Sequence, residues 1–316
     1  FVRALTYFYL VNLYGAVPLV LATDYTHTAL EPRSPAAAVY AQIRADLEAA
    51  RGNLFADYPQ AGNSPTDRTR PNLATATALL ARVCLYTGDW VRADSAATAL
   101  LNDPAYRLEP NLDSVFRSGS RETIWALQPV FGNIATAEGS FFIPSAANIP
   151  PAYPLTNILL GSFEPGDQRR MHWTANAANG QRYAYKYKQR FNTPPNGEFD
   201  VVIRLAELYL VRAEARAMQG NADGALADIN AVRQRAGLPG LDAGVSNANL
   251  LTAIRHERQI EFFAEWGNRW LDLKRTGQAN AILGAEKSRW TGTDTLYPLP
   301  AGELTSNPNL VQNPGY

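Results

Sequence analysis

Two stretches of this chain, 132 residues apart, repeat one design, and an internal repeat constrains the fold more tightly than composition does. ARVCLYTGDWVRADSA begins at Ala81 and AEARAMQGNADGALAD at Ala213, so that Ala81, Gly88 and Ala93 correspond to Ala213, Gly220 and Ala225. In each, a helix with small residues reaches a glycine, Asp89 or Asn221 follows at once, and a second alanine-rich helix starts. Small side chains let two helices approach closely, and glycine makes the turn between them. This is the layout of a tetratricopeptide-type helical hairpin, with Leu208-Tyr209 near the aromatic position of its first helix. Two units fall short of the roughly three that a self-supporting solenoid needs. Helices at 1–14, 36–50 and 249–276 are expected to supply the remaining layers. The first ends at Tyr14-Gly15; the second follows Ser34-Pro35 and sets Val39, Ile43 and Leu47 on one stripe.

Between these helices the pattern changes. Residues 56–71 read as a polar loop, and from about 105 to 200 helical periodicity gives way to proline, glycine, asparagine and aromatic residues. Strands are expected at Thr123–Leu127 and at Arg182–Lys188, where RYAYKYK alternates rings and basic groups with its tyrosines on one face. Long ordered loops on a rigid scaffold are where binding usually happens. The expected organisation is therefore a helical scaffold over 1–104 and 201–280, a loop-rich insertion over 105–200, and an extended strap over 291–316.

Several function classes lose support. Lys plus Arg equals Asp plus Glu, 29 of each, so no general basic field invites nucleic acid. No segment approaches the ~18 consecutive apolar residues of a membrane span. Cys84, the single cysteine, falls in an apolar helix and reads as a buried thiol. The three histidines lie far apart, and Ile260 stands where a His256-Glu257 zinc helix would need its second ligand, so no metal and no cofactor is expected. Nucleophile elbows and phosphate loops are absent from the sequence. Glu257, Glu261 and Glu265, four residues apart among Arg255, Arg258 and Arg269, read as an ion-pair ladder rather than a catalytic pair. They open a helix expected to run from Glu257 to Gly277, with Ile260, Phe263, Trp266 and Trp270 facing the core. The ending PLPAGELTSNPNLVQNPGY is expected to be neither helix nor sheet, its side-chain amides tying loops together.

Across these segments, the chain resembles the SusD/RagB family of bacterial outer-membrane nutrient-binding lipoproteins. The resemblance is carried by FVRALTYFYLVNLYGAVPLV, by RLAELYLVRAEARAMQGN with ADINAVRQRAGL, by ERQIEFFAEWGNRWLDLKRTG and by the NPNLVQNPGY ending. It implies a mainly α fold: an α-superhelix of tetratricopeptide-like hairpins with an irregular, loop-rich ligand-binding region and short β-strands. It also implies a non-enzymatic protein that is lipid-anchored at the cell surface. Such a protein captures an oligosaccharide and passes it to a SusC-like TonB-dependent transporter. A peptide ligand within the same family, or a structural or adhesive surface role, are the alternatives. Phe1 opens in mid-helix without an initiator methionine, so a preceding segment carrying the lipidated cysteine is expected, since Cys84 lies within a helix. The family motifs are scaffold and transfer no binding residue. From the loops, Asp24, Tyr25, Phe141, Phe142, Asn148, Tyr153 and Trp173 are the candidate ligand contacts, rings for sugar faces and polar groups for hydroxyls.

Overall fold

A computed structural model describes residues 1–59, 68–129, 134–191 and 197–316. The expected polar loop at 60–67, and parts of the loop-rich insertion at 130–133 and 192–196, lie outside the described residues. The chain is mainly helical, and its contacts divide it into two compact units, one of Phe1–Gly52 with Arg269–Tyr316 and one of Asn53–Asn268.

The larger unit is built on the repeat. Helices Leu73–Tyr86 and Trp90–Leu101 form the first hairpin, and Leu205–Met218 and Ala222–Arg235 the second. Trp90–Leu101 packs on Leu205–Met218, and Asn247–Glu261 adds the next layer against both helices of the second hairpin. The correspondence read from sequence is structural: Ala81, Ala93, Ala213 and Ala225 are all fully buried. Gly88 and Gly220 turn the chain at φ 72° and 80°, a region that costs any other L-residue about 1–2 kcal/mol. Asp89 and Asn221 then cap the following helices, accepting hydrogen bonds from the Arg92 and Gly224 amides.

Two strand pairs punctuate the insertion. Thr123–Leu127 runs antiparallel to Asp200–Arg204, and Thr174–Asn176 antiparallel to Arg182–Ala184. The second strand is shorter than RYAYKYK suggests. Lys186 is buried rather than facing water, and Tyr187 packs in the core, its hydroxyl accepting the Val201 amide at 2.9 Å. That core also gathers Phe116, Trp173, Ile260 and Phe263.

The helix expected over 257–277 is broken. It ends at Glu261, turns through 262–267 and restarts as Asn268–Arg275. Ala264 and Trp266 take φ of 54° and 43°, left-handed values that non-glycine residues hold only where their surroundings fix them. The surroundings are visible. The Trp266 indole donates to the Val201 carbonyl at 2.9 Å, and Glu265 is gripped by Arg204 and Lys186. The three glutamates do form a ladder, and it is buried. Glu261 meets Arg204 Nη1 at 2.5 Å and Arg169 Nη1 at 2.8 Å and also pairs with Arg235, while Glu257 meets Arg169 at 2.6 Å. Burial pushes the Glu261 carboxyl up, but Arg235, Arg204 and Arg169 outweigh it and hold it well below the usual carboxylate range.

In the smaller unit the C-terminal segment includes a short helix, Ala301–Ser306, correcting the expectation that it would hold none. Around that helix its amides tie loops as read. Asn307 Nδ2 donates to Glu31 O at 2.9 Å, Asn309 Nδ2 to Leu30 O at 2.7 Å, and Asn313 Nδ2 to both Tyr14 O and Tyr297 O.

Candidate functional site

The insertion places an open cleft of about 240 Å³ on the larger unit. Its first wall is the helix Ala137–Phe142, capped by Thr136, whose hydroxyl accepts the Gly139 amide at 3.0 Å. Gly139 is required there, because a Cβ would run into the Gln189 carbonyl. The helix can therefore press against the chain at Gln189, and its last turn carries Phe141 outward, 60% exposed. The opposite wall is the proline-framed loop from Pro144 to Tyr153, with Tyr153 56% exposed. The Phe141 and Tyr153 rings meet edge to face at 6.5 Å, and Phe142 meets Tyr153 at 6.2 Å. Phe142 itself is half-buried against the core, so it braces the tyrosine from behind.

Arg190 closes the cleft. Its Nη1 donates to the carbonyls of Ser140 and Ile143, fastening the end of the helix to the loop that follows. Ile149 and Pro150 complete an apolar floor. Two exposed rings at a fixed angle, beside an arginine and two serines, suit a ligand with flat apolar faces and hydroxyl groups.

Beneath this helix sits a carboxyl pair. Glu138 is pushed up to about 9, first by burial and then by Asp200 beside it. Glu138 Oε2 and Asp200 Oδ1 are both buried with no hydrogen-bond donor among the described residues, which a proton held between the two carboxyls resolves.

The candidate contacts separate into groups. Phe141 and Tyr153 come together in the cleft, with Phe142 behind them, and Asn148 is exposed in the turn before Ile149. Asp24 and Tyr25 belong to the other unit. There Asp24 caps the turn Tyr25–Thr28, accepting from the Thr26 amide and hydroxyl and meeting His27 at 2.8 Å, and Tyr25 is 76% exposed. Trp173 corrects the expectation of a ligand-stacking ring. It is fully buried, its indole donates to Leu112 O at 3.0 Å, and Lys186 and Arg204 pack on the ring at 4.5 and 5.6 Å from its centroid. A ring with no exposed surface offers no face to a ligand. Sequence reasoning missed Arg190, Ile149 and Ser140, which carry no motif; the one available signal was their place in the proline- and aromatic-rich insertion.

Stacked helical hairpins carrying an irregular, ring-lined cleft define a helical-repeat binding scaffold. The comparisons agree over both ends of the chain. Residues 164–316 match the SusD family, and residues 1–85 match a family described as starch-binding and associating with the outer membrane. The chain belongs to the SusD/RagB family. SusD-like protein P2 of Formosa agariphila is 27% identical, over all of this chain and 73% of that protein. Among solved structures, a laminarin-binding SusD-like protein is 28% identical with a TM-score of 0.79, over 99% of this chain and 77% of that one. Surface glycan-binding protein A from Bacteroides uniformis is 26% identical with a TM-score of 0.79, over 98% of this chain and 76% of that one.

Proposed function

We propose that this protein captures an oligosaccharide at the outer-membrane surface and hands it to a SusC-like TonB-dependent transporter. Attachment there would be through a lipid anchor. The cleft of Phe141, Tyr153 and Arg190 is the capture site, and the single observation that carries this reading is its pair of exposed, braced rings. Each ring stacks on one sugar face while Arg190, Ser140, Ser145 and the Tyr153 hydroxyl bond hydroxyl groups. Names among the relatives support the ligand class: one solved neighbour binds laminarin and another is a surface glycan-binding protein. Binding without hydrolysis is the favoured reading, because glycoside cleavage needs two facing carboxylates and none of the described residues lining the cleft carries one.

A peptide is the second reading, favoured by one feature. Ile143, Pro144, Ile149 and Pro150 give the cleft an apolar floor that would also take a peptide side chain. A glycan array probed with wild type and Tyr153→Ala separates the two. Glycan signal lost in the variant supports capture; no glycan signal, with a peptide library retained, overturns it. Co-purification with a SusC-like transporter tests the delivery step.

A further inference from the structure

The smaller unit holds a second ring-lined cleft of about 470 Å³. Trp270 and Tyr297 stack with centroids 6.4 Å apart and planes 22° from parallel, and Trp290 meets Trp270 edge to face at 5.7 Å. The rings are held in place. The Trp290 indole donates to Asn280 Oδ1 at 3.0 Å, the Tyr316 hydroxyl to Leu296 O at 3.0 Å, and Leu273, Ala279 and Leu283 form the core against which Trp270 and Trp290 pack. Tyr297 and Tyr316 nevertheless stay 46% and 55% exposed. Rigid rings with open faces bind at little cost in conformational entropy.

The polar groups around these rings are nearly all donors. Lys287 and Arg289 are exposed and meet no acidic partner among the described residues, and the Tyr297 hydroxyl has no hydrogen bond there either. Among the described residues, Asp294 is the one acidic group in the lining. Its carboxylate is already engaged, by the Thr291 amide at 2.7 Å and the Thr291 hydroxyl at 2.9 Å. Since Lys plus Arg and Asp plus Glu balance at 29 each over the whole chain, this donor excess is local and not a by-product of net charge. Ring faces demand a flat, partly apolar ligand, and unpaired cations demand acceptors carrying negative charge.

We infer that this cleft is a second saccharide site, selective for sugars bearing a carboxylate or sulfate group. One sugar face stacks on Tyr297 and Trp290, and the anionic substituent pairs with Arg289 and Lys287. The site is independent of the Phe141–Tyr153 cleft, and its test is arranged so that the two fail separately.

Oligomers of galacturonate and of a sulfated galactan, with a neutral β-glucan as control, are titrated by calorimetry into wild type, Lys287→Ala/Arg289→Ala, Trp290→Phe and Tyr153→Ala. The paired charge variant is expected to lose about tenfold or more in affinity for an acidic oligomer. Its β-glucan binding and melting temperature should stay unchanged. Tyr153→Ala should bind the acidic oligomer as wild type does, and the galacturonate and sulfate arms decide which anion is preferred. Trp290→Phe keeps a ring but loses the Asn280 bond, and should weaken binding less than the charge variant does. The proposal is overturned if neither acidic oligomer binds wild type, if the charge variant binds both unchanged, or if an acidic peptide competes for the site while both oligomers do not.

Discussion

Arg33 Nη2 donates to Asn313 Oδ1 across 2.6 Å, joining residues 280 positions apart in sequence. The same guanidinium donates to the carbonyls of Ala16, Tyr14 and Val311, and the Asn313 amide reaches Tyr14 and Tyr297. Asn313 is only 2% exposed, so its removal leaves three partners without replacement water. Asn313→Ala is expected to lower unfolding free energy by about 2–3 kcal/mol in urea titrations. A loss under about 0.5 kcal/mol would mean the C-terminal segment is merely laid on the surface.

Two buried carboxyls act on stability in opposite directions as pH changes. Glu138 is raised to about 9 in the folded chain, from an ordinary 4.5, so folding takes up a proton between those values. Its stabilising contribution is complete below 4.5 and is lost as pH rises towards 9. Glu261 is held well below 4.5, so its contribution is present above that value and is lost as pH falls through the folded pKa. Glu138→Gln should therefore flatten a stability-against-pH curve between 4.5 and about 9, its alkaline side included, and leave the region below 4.5 alone. An unchanged alkaline slope would remove the shared proton from consideration.

Glu261→Gln cuts deeper. It removes the one carboxylate shared by Arg169, Arg204 and Arg235, each of which keeps another carboxylate in Glu257, Glu265 or Glu122, so the loss of charge-assisted hydrogen bonds sets an expected cost of about 1.5–3 kcal/mol. Thermal unfolding of the variant checks this, and a change under about 1 kcal/mol would contradict it.

Trp173→Phe should separate packing from binding. The change removes the bond to Leu112 and leaves a void, costing about 1–3 kcal/mol, while glycan affinity measured well below the melting range stays within about twofold. A selective loss of affinity at unchanged stability would restore Trp173 to the site.

The scaffold was legible in the sequence because its constraints are local. Gly88 with Asp89, and Gly220 with Asn221, specify a turn and a cap within two residues, and the alanine spacing specifies the packed face. The break after Glu261 was not legible. It depends on Arg204, Lys186 and Val201, which reach Glu265 and Trp266 from about 60 to 80 residues away and outweigh the helical periodicity of the segment. Trp173 failed for a related reason: a tryptophan in a loop-rich stretch looks exposed until the lysine and arginine packed on its ring are located. Phe141 and Tyr153 were read as candidates from composition alone. Arg190, which staples their two walls through Ser140 and Ile143, became visible only in three dimensions.

The capture site is tested most directly by calorimetric titration of an oligosaccharide that wild type binds on the glycan array into wild type and Phe141→Ala/Tyr153→Ala, with urea unfolding of both as a control. Removing two exposed stacking rings should weaken binding by about 1–3 kcal/mol, roughly 5- to 150-fold, at nearly unchanged stability. Equal affinity in the two proteins would contradict the assignment of this cleft.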